Sequence, residues 1–393
     1  MALLRMSYIA IVSIGFLAVA MQQTEELPAF SLRSPPASVS APFGRIGGVH
    51  ERSDQSLVVL DPDEVVLTLL SPDLRTATSI GRVGRGPGEY QLPDHLLALG
   101  RDSTGVWDLS GSIVHVVDGS GRIAGTIVGR WDRACAGATG IRLQAIRGFD
   151  SHGHRYSQAE PIATGADGVG RPADSAAVER WIPCQRDTVA LIPILGGSGR
   201  RVIGGQIIIG GSLPLPFASE TQWAANAEGR VAVAHLEPFH LEFVDENGQR
   251  TKGRQIAYKP IVVTEQMKDE WRVTMRKPRM ATVFGRDGST AKIPAAPPFE
   301  EPSSWPRYLP PFPKNAIQLS ADGSVWLRIS TTPDDLPLYY VFDTSGKPVR
   351  RVQLVRGSRI VGFGRTSIYI ARTTSDEQEV LERYDYASLT RVP

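Results

Sequence analysis

Seven histidines are the side chains best suited to hold a metal or move a proton. His152 and His154 stand two apart at a predicted hairpin turn, and His235 and His240 flank a second turn further on. A closed metal site needs three or four protein ligands, and no cysteine or carboxylate is read as completing either pair. Both pairs therefore read as surface or capping histidines, and neither a metal nor a cofactor is expected. Nucleophile signatures are missing as well: the chain has no Gly-x-Ser-x-Gly elbow and no His-Glu-x-x-His helix. Gly84-Arg-Gly-Pro-Gly-Glu89 invites a phosphate-loop reading, but it lacks the Gly-Lys-Ser/Thr ending, and Pro87 removes a donor. A tight turn fits that stretch better.

Composition narrows the choices. The 393 residues carry 43 basic and 41 acidic side chains, with no basic stripe interleaved with aromatics, so nucleic acid is not an expected partner. The 39 glycines and 29 prolines suit short strands joined by tight turns. Arg5, the apolar run Tyr8 to Val19 and the small-x-small Ala18-Val19-Ala20 read as a cleaved signal peptide over 1–20. The competing reading is an uncleaved anchor, but the run is short for a span, which takes roughly 20 apolar residues. No later segment is apolar enough to span, so a periplasmic or extracellular monomer is expected. Export would permit a disulfide between Cys135 and Cys184, the chain's two cysteines.

The elements that must position any site come from an internal repeat. A turn followed by alternating residues recurs as Asp54 to Leu60, Ser103 to Leu109, His152 to Gln158, Glu228 to Ala234, Asp322 to Arg328 and Arg365 to Ala371. Period-two alternation is a strand signal. Val116-Val-Asp-Gly-Ser-Gly-Arg122, Phe243-Val-Asp-Glu-Asn-Gly-Gln249 and Val341-Phe-Asp-Thr-Ser-Gly-Lys347 follow three of these copies. In each, Asp opens and Gly closes a type I turn. Four antiparallel strands per copy, repeated radially, make an all-β, six-bladed β-propeller. Packed β-sandwiches are the alternative, and six copies along the chain argue against them.

The blades are expected near 44–81, 92–129, 141–199, 200–262, 312–355 and 356–391, with an insertion at about 263–311. Blade six lacks residues for its fourth strand, so the segment 21–43 is expected to supply it. In that frame Cys135 and Cys184 fall on opposite faces, about 17 Å apart for strands of five residues, so no disulfide is expected.

Gly81-Arg-Val-Gly-Arg-Gly-Pro-Gly-Glu-Tyr90, Val361-Gly-Phe-Gly-Arg-Thr-Ser-Ile-Tyr369, Leu381-Glu-Arg-Tyr384 and Ser304-Trp-Pro-Arg-Tyr-Leu-Pro-Pro-Phe312 resemble stretches of secreted bacterial six-bladed propellers of NHL/TolB-like type. The resemblance implies the fold and export, and it names no reaction. Blades one and three depart from the pattern by lacking the Asp-x-x-Gly turn.

Candidate binding residues follow from this frame. His95, Gln144, Glu220 and Lys314 stand eight residues before their A–B turns and are expected near the channel mouth, where the competing reading is hydrogen bonding between blades. Thr264 to Lys277 reads as a helix capped by Thr264, with Met267, Trp271 and Met275 on one face. It is either a patch over blade edges or a lid, and Trp271 and Arg307 are its candidate contacts. Propellers are superfolds, so fold alone does not give function. The reading is an exported propeller that binds a protein, small-molecule or glycan ligand on its loop face. A channel-sited lactonase, lyase or hydrolase, with Ca²⁺ as a conceivable aid, is the alternative.

Overall fold

A computed structural model describes residues 27–32, 35, 37–39, 43–100, 102–128, 145–159, 162–164, 170–182, 185–193, 200–203, 206–209, 216–276, 279–284, 290–295, 299, 301–302 and 304–392. Segment 1–20, read above as a signal peptide, and Gln144, Cys135 and Cys184 lie outside them.

The chain is a six-bladed β-propeller. Blade one is Gly48–Glu51, Leu57–Asp61, Val66–Leu70 and Ala77–Ser79 in that spatial order, each strand antiparallel to the next. Blades two to five repeat the order, opening on Pro93–Ala98, Ile146–Phe149, Gln222–Ala225 and Ile317–Leu319. These opening strands touch one another in sequence, and Ser358–Phe363 of blade six touches Gly48–Glu51 of blade one. Gln318 Nε2 donates to the Ile360 carbonyl at 2.9 Å, joining blade five to blade six.

Second strands are apolar on both faces because each lies between two neighbouring blades. In blade one, Leu57 and Val59 pack with Tyr369 and Ala371 of blade six, while Val58 and Leu60 pack with Val106 and Val117 of blade two. The same division recurs around the ring as six apolar clusters, one at each junction. Fully burying one such aliphatic side chain contributes roughly 1.5–3 kcal/mol, so the junctions hold the ring together.

The three Asp-x-x-Gly turns form as their chemistry requires. Asp245 Oδ1 accepts the amides of Asn247 (2.9 Å) and Gln249 (2.8 Å), and Gly248 enters the left-handed region at φ 81°. Asp118 and Asp343 do the same with residues two and four further on. Blade one makes an equivalent turn without the motif: the Leu74 amide donates to the Ser71 carbonyl, and Leu74 itself adopts φ 63°. Its side chain is 3% exposed, so burial offsets the left-handed strain.

Ala37–Ser38 pairs antiparallel with Glu379–Asp385 as the outer strand of blade six. Ala29–Leu32 lies instead between Pro348–Gln353 of blade five, to which it is parallel, and the C-terminal Leu389–Arg391. A single α-helix among the described residues, α1 (Glu265–Arg276), follows blade four; its Met267 amide donates to Thr264 Oγ1 at 3.3 Å. No helix among the described residues is long and apolar enough to cross a membrane.

Candidate functional site

Loops on the face where blades begin enclose a cavity of about 580 Å³. Several stretches of chain build it. α1 contributes Met267, Glu270, Trp271 and Thr274, and the loop 330–337 of blade five and the link 356–359 into blade six also line it. The approaches to blades four and five supply Phe217, Ala218, Leu309, Pro310 and Pro313. Trp271 is set edge-on to Trp305, with ring centres 5.3 Å apart, and Trp305 meets Phe217 at 6.0 Å. Arg272 and Lys268 lie over the Trp305 ring at 5.1 and 5.8 Å, which anchors α1 against the approaches through cation–π contacts.

Among the described residues three arginines line the cavity, and two are committed to structure. Arg359 binds both carboxylate oxygens of Glu379 at 2.7 and 2.9 Å and donates to the Ile46 carbonyl at 2.8 Å. Arg356 donates to the carbonyls of Pro333 and Asp334, pinning the 330–337 loop. Arg328 is different. Its half-buried guanidinium has no hydrogen-bond or ion-pair partner among the described residues.

Its place in the repeat explains why this is unusual. Trp326 faces blade six, whereas Val325, Leu327 and Ile329 face blade four, so Arg328 projects toward blade six with Trp326. The corresponding residues elsewhere are Leu60, Trp107, Gln158, Ala234 and Ala371. Four are apolar, and Gln158 is satisfied by Trp223 Nε1 at 3.0 Å. A charge at such a position costs free energy unless something pairs with it. Ser358 also lines the cavity; it is 3% exposed and its Oγ has no hydrogen-bond partner among the described residues. Glu270 and Asp335 also line the space; Asp335 accepts the Thr332 hydroxyl at 2.7 Å, and Glu270 is met by Gln266 at 3.1 Å. Burial raises the Tyr339 phenol above its ordinary value, and the charges of Arg328 and Arg359 oppose that shift.

Of the candidates read from sequence, Trp271 lines the cavity. The His95 ring is held between blades: Nε2 meets the Ile146 carbonyl at 2.7 Å and Nδ1 meets Asp94 at 2.8 Å. Glu220 and Lys314 are exposed just before the first strands of blades four and five, and Arg307 is exposed over the Tyr308 ring. Arg328 was missed, although it ends the fifth copy of the repeat as its one charged terminal residue.

The glycine-rich link carries no phosphate site. Glu89 fills it, accepting the Gly86 amide at 2.6 Å and the Arg82 guanidinium at 2.7 Å. These contacts hold its carboxyl below the usual range. Among the described residues, Asp150, His152 and His154 form the one group of three side chains that could hold a metal ion. Reading those histidines as lacking a carboxylate overlooked Asp150, two residues before the pair.

No family model matches the chain, and no curated protein matches it. Solved structures do. A Bacteroides fragilis protein is 8% identical, with 93% of this chain and 99% of that chain covered and a TM-score of 0.45. Regucalcin from Agrobacterium tumefaciens, a calcium-binding protein, is 8% identical over 90% and 95% of the two chains, TM-score 0.41. Virginiamycin B lyase from Staphylococcus aureus is 9% identical over 90% and 98%, TM-score 0.38. With TM-scores below 0.5, these likenesses carry no argument about this chain, and its fold rests on its own strand order.

Proposed function

We propose that the protein is an exported propeller that binds a small molecule or glycan bearing a carboxylate in the cavity beside α1. The observation that carries this reading is Arg328, a guanidinium without a partner at a junction position that is apolar in most other blades. Arginine presents a planar fork matched to a carboxylate, and a partly desolvated site strengthens that pairing. Ser358 Oγ supplies a second polar group lacking a partner. Trp271, Phe217, Met267, Leu309 and Ile329 offer apolar surface to the body of the ligand. A volume of about 580 Å³ lies within the range of small-ligand pockets. Export rests on Arg5, the apolar run Tyr8 to Val19 and Ala18-Val19-Ala20. Membership of the NHL/TolB-like propellers rests on the glycine-rich link and the last-blade stretches.

The test is a thermal-shift screen with paired probes: glucuronate against glucose, galacturonate against galactose, and benzoate against benzyl alcohol. At a hundredfold excess over Kd a ligand adds about 2.7 kcal/mol. An acidic member of a pair should raise Tm while its neutral partner does not. Equal responses within every pair would sink the reading.

A further inference from the structure

We propose that the turn between the first and second strands of blade three is a binding site for a divalent transition-metal ion, Zn²⁺, Cu²⁺ or Ni²⁺. His152 and His154 donate the ring nitrogens, and Asp150 holds His154 in the binding tautomer.

Turns alternate between the two ends of an antiparallel blade. This turn therefore lies on the face opposite the α1 cavity, and the proposal does not depend on that site. Its backbone is tightly fixed. The Gly153 amide donates to the Asp150 carbonyl at 3.0 Å with φ 79°, and the Asp150 amide donates to the His154 carbonyl at 3.2 Å. The Ser151 amide ties the turn to blade four through the Ala227 carbonyl at 2.7 Å.

Asp150 is 8% exposed and fully engaged. Oδ1 accepts the amides of His152 at 3.0 Å and His154 at 2.9 Å. Oδ2 accepts the Tyr156 hydroxyl at 3.0 Å and lies 2.8 Å from His154 Nδ1. With Asp150 accepting at Nδ1, that nitrogen carries the proton, which leaves Nε2 of His154 as the available donor. Metal-binding histidines are oriented by a carboxylate in this way.

The second nitrogen is close by. The rings of His152 and His154 are stacked with centres 5.6 Å apart and planes 20° apart. One ligand atom from each of the three residues lies within 4.8 Å of the others. Two nitrogens sharing an ion at about 2.0–2.1 Å stand no more than roughly 4 Å apart. His152 is exposed, so its ring can turn to bring a nitrogen toward an ion held at His154 Nε2.

The turn itself does not call for histidine. Asp118, Asp245 and Asp343 accept the same pair of amides, two and four residues on, from Ser120 and Arg122, Asn247 and Gln249, and Ser345 and Lys347. Only in blade three, among these four turns, are both positions histidine. Imidazole nitrogen selects zinc, copper and nickel over the oxygen-seeking calcium and magnesium. Two protein nitrogens leave coordination positions open to water or to an incoming group.

The test uses untagged protein stripped with a chelator and titrated with Zn²⁺ in competition with a chromophoric chelator, with Cu²⁺ followed by electron paramagnetic resonance. One equivalent per chain is expected, with hyperfine structure from two imidazole nitrogens. His152→Ala and His154→Ala should each weaken Zn²⁺ at least tenfold, and Asp150→Asn roughly tenfold. His152 is exposed, so its variant should keep the wild-type Tm. Absence of uptake by wild type, or uptake that His152→Ala leaves unchanged, would overturn the proposal. So would a loss of the same size in His235→Ala, since the ion would then sit at the other histidine pair.

Discussion

Tyr369 of blade six donates its hydroxyl to Glu51 Oε2 of blade one at 2.5 Å, joining the last blade to the first through side chains. The other oxygen of Glu51 accepts the Arg365 amide at 2.9 Å. Tyr369→Phe keeps the ring, removes the hydroxyl and strands part of a carboxylate at the seam. Hydrogen bonds to charged groups contribute about 1.5–3 kcal/mol. A loss of that size is expected in urea unfolding at pH 7, and no change would mean that the seam is carried by packing alone.

Closure also draws on the N-terminal segment. Ala37–Ser38 covers the edge of Glu379–Asp385, Val39 is 6% exposed, and Phe43 exchanges backbone hydrogen bonds with Glu379. Deleting residues 27–45 bares strand edges on blades five and six. The expected cost is a few kcal/mol, seen as a fall of roughly 5–10 °C in Tm. A deletion variant that melts with the full chain would show that the ring closes without these strands.

His50 connects blade one to blade two through Nδ1 and Thr104 Oγ1 at 2.7 Å. Burial first, and the Arg52 charge second, lower its pKa from 6.5 to about 4. The unfolded chain then binds the proton more readily than the folded one. The neutral ring's contribution is complete above about pH 6.5 and is lost as pH falls toward 4. His50→Asn keeps a polar partner for Thr104 and does not titrate. Unfolding free energies at pH 7, 6, 5 and 4 should fall less steeply in the variant than in wild type; parallel curves would remove His50 from the account of acid sensitivity.

The propeller was legible because its signals are local and repeated. Alternation marks the strands, and Asp118, Asp245 and Asp343 each open a turn whose closing Gly has positive φ. Where another residue does the same job the pattern disappears, as with Leu74, whose left-handed backbone is tolerated only because its side chain is buried. The second role of the N-terminal segment, as Ala29–Leu32 on blade five, left no mark because strand pairing between distant segments has no local signature. Site residues were harder to read. His95 stands in the inner-strand row as expected, yet its ring is spent on Ile146 and Asp94. Arg328 was visible as the one charged residue closing a copy of the repeat, but its meaning depends on knowing which blade face it joins. In blade two, alignment by sequence ends on Leu109, while the face toward blade three takes Trp107, a shift of two residues that obscured the comparison.

Arg328→Leu places in blade five the residue that blade one has at Leu60, and its effect on stability and binding separates a charge kept for a ligand from one kept for the fold. A charge retained for a ligand should be costly to the empty protein, since a well-packed apolar replacement of a poorly compensated charge is commonly neutral or stabilising. The measurement is Tm of wild type and variant, each with and without the acidic probe that shifts wild type most. The variant should melt at or above the wild-type temperature without probe and should lose the probe-induced shift. A variant that melts well below wild type yet keeps the full shift would make Arg328 a structural residue and place the ligand, if there is one, elsewhere.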